Sequence, residues 1–140
     1  MLMGIYLKLF EDNWSVFDDV YTVLEKIYNM GYKLCVISNG DLSQQTDKLK
    51  RTDIYKFFEI ITTSSEYEYS KPNPKLYETI IERFNINKDE MLMVGDQVEK
   101  DVGPCLSIGI DAIWLNRKGK EYSGDVKEIR NLNELFDYIK

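Results

Sequence analysis

The sequence predicts an α/β domain built on a doubly wound parallel sheet with helices on both faces. Short apolar runs at about 33–37, 59–62, 91–94 and 111–115 read as buried strands, and stretches with helical periodicity separate most of them. Crossovers of that length join parallel strands and are right-handed, which puts helices on both sides of the sheet. No internal repeat, low-complexity tract or linker interrupts the pattern, so residues 1–140 are expected to form one domain.

The elements follow from local chemistry. Ser15 and Asp18 have capping-box spacing ahead of Phe17, Val20, Tyr21, Leu24, Ile27 and Tyr28, which repeat at the helical period until Gly31. A strand over 33–37 ends at Ser38-Asn39-Gly40, and Asp41 can cap a helix running to about Arg51. A helical turn near 54–57 and a strand over 59–62 come next. Asn73 and Pro74 suit the cap and first position of a helix whose buried face is Leu76, Tyr77, Ile80, Ile81 and Phe84. The strand at 91–94 ends at Gly95-Asp96. Pro104 restarts a helix that Gly109 ends, a strand covers 111–115, a short strand lies near 126–129, and a helix starts at about Leu132, capped by Asn131 or Asn133.

Composition excludes several chemistries. With no histidine in the chain, a Ser-His-Asp triad, a histidine metal site and a histidine general base are all ruled out. A net charge of −6 disfavours binding nucleic acid through its phosphates. No apolar run approaches the roughly 20 residues that span a bilayer, and the opening residues have neither a basic start nor a sustained apolar stretch. A cytoplasmic protein without membrane contact is expected. Cys35 and Cys105 sit inside apolar stretches and read as buried structural thiols rather than a disulfide or redox pair.

Ligands of doubly wound sheets bind beyond the carboxyl ends of the strands. Polar residues stand at three such places: Ser38 and Asn39 after one strand, Lys71 in Ser-Lys-Pro-Asn-Pro after the next, and Asp96 after a third, with Asp101 one turn on. Taken singly each has an ordinary explanation. Ser38 is more often a cap, a Lys-Pro is usually a solvated loop, and Asp96 or Asp101 would be a cap or a surface charge in most proteins. Their order and shared placement point instead to phosphoryl transfer, where catalysis is mainly positioning and charge neutralisation. A hydroxyl and free backbone N–H groups bind phosphate oxygens, a lysine neutralises them, and aspartates are hard ligands for Mg²⁺.

These segments resemble the motifs of the haloacid dehalogenase-like hydrolases. Val36-Ile37-Ser38-Asn39-Gly40 resembles the second motif, Tyr69 to Pro74 the third, and Met93 to Asp101 the fourth; the likeness extends over about residues 14–140. It implies that Ser38 and the backbone of Asn39 bind phosphate, that Lys71 holds the nucleophile and the phosphoryl group, and that Asp96 ligates Mg²⁺. Asp101 would support Lys71 or the metal shell. The Gly-Asp form of the fourth motif resembles the phosphatase branch, so phosphate-ester hydrolysis of a small phosphorylated metabolite is preferred over carbon–halogen cleavage. Substrate choice in the family is largely a property of a cap that is almost absent here.

The first motif of the family, an Asp-x-Asp pair closing the central strand, has no counterpart. Glu11-Asp12-Asn13 lacks the spacing, and Asp18-Asp19 opens a helix, where acidic residues favour the dipole. The core is therefore expected to be N-terminally incomplete, with Mg²⁺ binding weak or absent and little or no hydrolysis by this chain alone, because the covalent route needs a carboxylate nucleophile. A non-catalytic remnant or phosphate-binding module is the alternative.

The strands before Ser38 and Asp96 should flank the missing one, and their backbone groups need partners. They can pair with each other, receive residues 3–10 as a surrogate strand, or take a strand from a homodimer or complementing chain; one of the last two is expected. Residues 1–13 fit both a helical face (Met3, Leu7, Phe10) and a strand alternation (Ile5, Leu7, Leu9). Helix is favoured slightly, because Lys8 is badly placed in a strand buried on both faces. A phosphoacceptor receiver domain fails on the order of its acids, and no Gly-x-Gly-x-x-Gly follows a strand to suggest dinucleotide binding.

Overall fold

The computed structural model describes residues 2–6, as backbone, and 17–139. Six parallel strands form one sheet in the order β3-β2-β1-β4-β5-β6. They are β1 (Leu2–Tyr6), β2 (Lys33–Ser38), β3 (Phe58–Thr63), β4 (Met91–Gly95), β5 (Asp111–Leu115) and β6 (Lys127–Ile129). Among the described residues four α-helices accompany them: α1 (Val20–Asn29), α2 (Leu42–Arg51), α3 (Pro74–Phe84) and α4 (Gly103–Ser107). The predicted doubly wound α/β fold is the observed one.

Strand periodicity sorts the interior into two layers. Leu34 and Val36 of β2, Leu92 and Val94 of β4, and Ile113 and Leu115 of β5 pack with Val20, Val23, Leu24 and Ile27 of α1 on one face. Their alternating neighbours Cys35, Ile37, Met91, Met93, Ala112 and Trp114 pack with Leu76, Tyr77 and Ile80 of α3 and with Cys105 of α4 on the other. Both thiols are buried and free, and burial pushes each up to about 12, so they fill space rather than react.

The caps match the sequence where their chemistry is local. Asp41 accepts from the backbone N–H of Gln44 at 3.0 Å, and Asn73 accepts from that of Lys75 at 3.0 Å ahead of Pro74. Gly31 takes φ +90°, a left-handed turn that a side chain disfavours, and ends the chain's exit from α1. Ser15 lies outside the described residues, and α1 opens after Asp19 instead. Two expectations need correction. The C-terminal helix is a 3₁₀ segment, Leu132–Asp137, opened by a reciprocal capping box between Asn131 and Glu134. After Asp96 the chain makes a π-helical turn, Val98–Val102, before α4 begins.

The larger correction concerns the amino terminus. Residues 2–6 are a strand, not the favoured helix, and this strand lies between β2 and β4, pairing Ile5 with Val36 and with Val94. The chain's own segment thus satisfies the facing backbone groups, and β2 and β4 do not pair directly. β1 is described over Leu2–Tyr6, and Lys8 with the rest of 1–13 lies outside the described residues. Tyr6 stands opposite Gly95, one residue before Asp96. Because the order reverses on either side of β1, the crevice between β1 and β4 is the topological switch point.

Deleting residues 1–6 would strip partners from both neighbouring strands. At about 1 kcal/mol per net backbone hydrogen bond, the expected loss is on the order of 5 kcal/mol. Urea denaturation should show a collapsed midpoint or no cooperative transition; an unchanged midpoint would mean that β1 does not pair as described.

Candidate active site at the carboxyl ends of the strands

The centre of the site is a buried ion pair. Lys71 Nζ donates to Asp101 Oδ1 at 2.7 Å and to the carbonyl oxygen of Ile37, at the end of β2, at 3.0 Å. The two side chains are 1% and 0% exposed. Asp101 Oδ2 in turn accepts from the backbone N–H of Gln97 at 3.1 Å. Both carboxylate oxygens are thereby engaged, and Asp101 serves to hold Lys71 and the loop after β4.

The π-helical turn explains how Asp101 reaches inward. The Val102 N–H reaches the carbonyl of Gln97 at 3.4 Å, the five-residue bond of the wider turn, while the Asp101 N–H bonds to the same carbonyl at 2.9 Å. The turn carries the Asp101 carboxylate back over Gly95. A Cβ on Gly95 would lie 2.2 Å from Asp101 Cβ. The glycine of Gly95-Asp96 is therefore required by close packing, since any side chain would occupy the space of Asp101.

Lys71 is placed by its own loop. The Asn39 side chain accepts from the Lys71 N–H at 3.0 Å and donates to the Lys71 carbonyl at 3.4 Å, so it pairs with the peptide backbone of the lysine. Further back, Glu66 accepts from Thr62 Oγ1, from the Thr63 N–H and from Arg83, which also donates to Tyr67 Oη. That network ties the segment between β3 and Lys71 to α3. The peptide bond from Lys71 to Pro72 is cis.

Ser38, 1% exposed, donates from Oγ to the Asn39 carbonyl at 3.0 Å, and the N–H of Gly40 donates to Ser64 Oγ at 3.2 Å. Asp96 is half-buried beyond β4 and close enough to Lys71 to raise the affinity of the amine for its proton. The five sequence-predicted residues, Ser38, Asn39, Lys71, Asp96 and Asp101, are brought to one rim of the sheet.

Burial dominates the electrostatics. It pulls the Lys71 amine down to about 8, although Asp101 and Asp96 act to keep it charged. Burial likewise raises the Asp101 carboxyl, against the pull of Lys71. A lysine whose pKa falls on folding destabilises the fold where it is charged. Its cost is full below pH about 8 and fades between 8 and 10.5, where the unfolded chain still binds the proton.

Asp96 Oδ1 is buried and has no hydrogen-bond partner among the described residues. A hard carboxylate oxygen kept away from donors suits a cation. Among the described residues no group of three or more Cys, Asp or Glu gathers to form a metal cage. The fit is to an ion held by one protein carboxylate with phosphate and water completing the shell, as Mg²⁺ is commonly bound.

A sequence model of the haloacid dehalogenase-like hydrolases matches residues 2–115. The chain belongs to this family. It is 34% identical over 124 residues to a glyceraldehyde 3-phosphate phosphatase of Methanocaldococcus jannaschii, covering 84% of this chain and 53% of that protein. The crystal structure of a HAD phosphatase from Thermococcus onnurineus superposes with a TM-score of 0.82 at 34% identity, over 89% of this chain and 58% of the other. An uncharacterized protein from Listeria monocytogenes serotype 4b shares the fold at 19% identity and a TM-score of 0.83, over 99% of this chain and 97% of its own. The chain spans about half the length of the curated relatives it matches.

Sequence reasoning missed the groups that position the site. The Gln97 N–H, the Asn39 side-chain bonds, the Glu66–Arg83 brace and the donation from Trp114 Nε1 to the Asp96 carbonyl at 3.1 Å carry no local signature. The tight Gly95 was legible only as one letter of the fourth motif.

Two outcomes are expected for this haloacid dehalogenase-like core. Gly95→Ala should cost about 1–3 kcal/mol by overpacking, measured by urea denaturation, with Asp101 displaced. Lys71→Met leaves a buried carboxylate and Asp101→Asn a buried amine, each costing about 3–5 kcal/mol. The double variant should recover much of that loss in a double-mutant cycle; additive losses would show that the pair is not coupled.

Proposed function

We propose that the protein serves in the Mg²⁺-dependent hydrolysis of a phosphate ester carried by a small metabolite. The observation that carries this reading is the gathering of Ser38, Asn39, Lys71 and Asp96 at the switch-point end of the sheet, with Lys71 buried and aimed by two acceptors. The relatives named glyceraldehyde 3-phosphate phosphatase support a phosphatase rather than a dehalogenase.

In this reading the roles follow from the chemistry of each group. Ser38 turns its hydroxyl from the Asn39 carbonyl to donate to a phosphoryl oxygen. The Lys71 ammonium, desolvated and held by Asp101, neutralises charge more strongly than it could in water. Asn39 fixes the lysine backbone through its side chain, while its own backbone lines the phosphate side. Asp96 would hold Mg²⁺ through Oδ1; the ion, when bound, supplies charge neutralisation at the phosphoryl oxygens. Asp101 acts through Lys71 and is a positioning residue.

A second reading, a phosphate-binding module without turnover, is favoured by one observation. The strand beside both Ser38 and Asp96 is Leu-Met-Gly-Ile-Tyr and has no carboxylate to attack phosphorus. On this ground little hydrolysis is expected from the chain alone.

Inorganic phosphate binding followed by calorimetry in Mg²⁺, alongside p-nitrophenyl phosphate turnover, separates the readings. Binding is expected to weaken at least about tenfold in Lys71→Met, in keeping with the loss of one charge-assisted hydrogen bond of about 1.5–3 kcal/mol. It should also weaken as pH rises through about 8, where Lys71 loses its charge. Turnover abolished by Asp96→Asn would favour the enzyme, and binding without turnover the module. No phosphate binding by the wild-type chain would overturn both.

A further inference from the structure

The peptide unit that follows Asp96 is gripped at both poles. Its N–H, on Gln97, donates to Asp101 Oδ2 at 3.1 Å, and its carbonyl, that of Asp96, accepts from the Trp114 indole Nε1–H at 3.1 Å. Trp114 lies on β5 directly opposite Gly95 and is 5% exposed, so its ring reaches one residue past the strand pairing to the first carbonyl beyond β4. Tyr122 packs its ring edge-on against that indole at 5.9 Å between centroids, with an interplanar angle of 68°. From Tyr122 and Trp114 to Asp101 and Lys71, one chain of contacts thus crosses the unit that carries the Asp96 side chain.

Rotation of that peptide would swing the Asp96 carboxylate, because the Asp96 ψ angle sets both the carbonyl and the plane of the following N–H. Asp101 alone holds one pole and leaves the unit free to tilt about it. The indole removes that freedom and satisfies a carbonyl at the point where the chain leaves the sheet. Trp is suited to the task, since it combines a donor with a ring large enough to fill the layer beneath.

We propose that Trp114 is a positioning residue for divalent-cation binding: its indole N–H fixes the Asp96 peptide so that Oδ1 faces the crevice between β1 and β4. The proposal rests on the reading of Asp96 as a Mg²⁺ ligand and adds a residue that acts on the ligand from behind. Groups that orient metal ligands in this way typically matter by 10- to 100-fold in affinity. The braced Tyr122 contributes less, because it touches the ring and not the donor.

Mn²⁺ is the probe, read by paramagnetic broadening of backbone and indole N–H signals in the intact chain, which detects weak binding without turnover. In the wild type, broadening should centre on Gly95 to Val98 and be lost in Asp96→Asn. Trp114→Phe should shift the midpoint to about tenfold higher Mn²⁺ while the dispersed spectrum of the fold persists; Tyr122→Leu should shift it less. An unchanged midpoint in Trp114→Phe overturns the proposal and leaves Asp96 as a ligand. Wild-type broadening that is absent or indifferent to Asp96→Asn overturns the ligand reading, and the proposal falls with it. Should Trp114→Phe fail to fold, the wild-type Trp114 Nε1–H signal decides, assigned with Trp14→Phe and titrated with Mg²⁺. It should move with the same midpoint as the Gly95 and Gln97 amides, and a signal that stays still while they move refutes the tether.

Discussion

The Lys71–Asp101 ion pair is the interaction on which the rest of the site depends. It joins three parts of the chain that are distant in sequence: the end of β2 through the Ile37 carbonyl, the loop carrying Lys71, and the turn after β4 through Asp101. Burying two charges costs several kcal/mol per ion, and their mutual attraction recovers this only with good geometry and further hydrogen bonds. The shifts of both groups, each toward its neutral form, are the mark of that cost. A pair so poorly justified by stability is better explained by position, because it holds a cation at the rim where β2 and β4 end.

The close packing around the pair leaves little room for substitution. Asp101 rests on the bare α-carbon of Gly95, the π-helical turn delivers it there, and the Gln97 N–H closes the arrangement. The result is a short, over-determined loop that leaves Asp96 Oδ1 buried and unpartnered among the described residues. A polar atom held in that condition is costly unless a ligand meets it. Burial thus works against stability at Asp96 and Lys71, a condition that clusters at ligand sites, where strain is held in place by the surrounding structure.

A central strand is the other structural demand. In a parallel sheet the strands on either side of the switch point expose N–H and C=O groups that water cannot reach, and something must pair with them. Residues 2–6 meet this demand with a register that brings Tyr6 level with Gly95. Pairing is a backbone property, so an apolar segment of modest strand propensity can fill such a place. The chemistry of its side chains is a separate matter, and the segment Leu-Met-Gly-Ile-Tyr has no acid among them.

Much of the protein was legible from residue order alone. Short apolar runs marked β2, β4 and β5, helical spacing marked α1 and α3, and Asp41 and Asn73 marked the caps of α2 and α3, because these signals are set by near neighbours. Residue types at strand ends likewise named Ser38, Asn39, Lys71, Asp96 and Asp101, since a parallel sheet sends all its carboxyl ends to one side. Only the tertiary structure decided that residues 2–6 form a strand, that Asp101 spends both oxygens on Lys71 and Gln97, and that an indole from β5 grips the Asp96 carbonyl. The physical reason is the same in each case: periodicity is written locally, whereas which partner satisfies an edge, a charge or a carbonyl depends on groups brought together by folding.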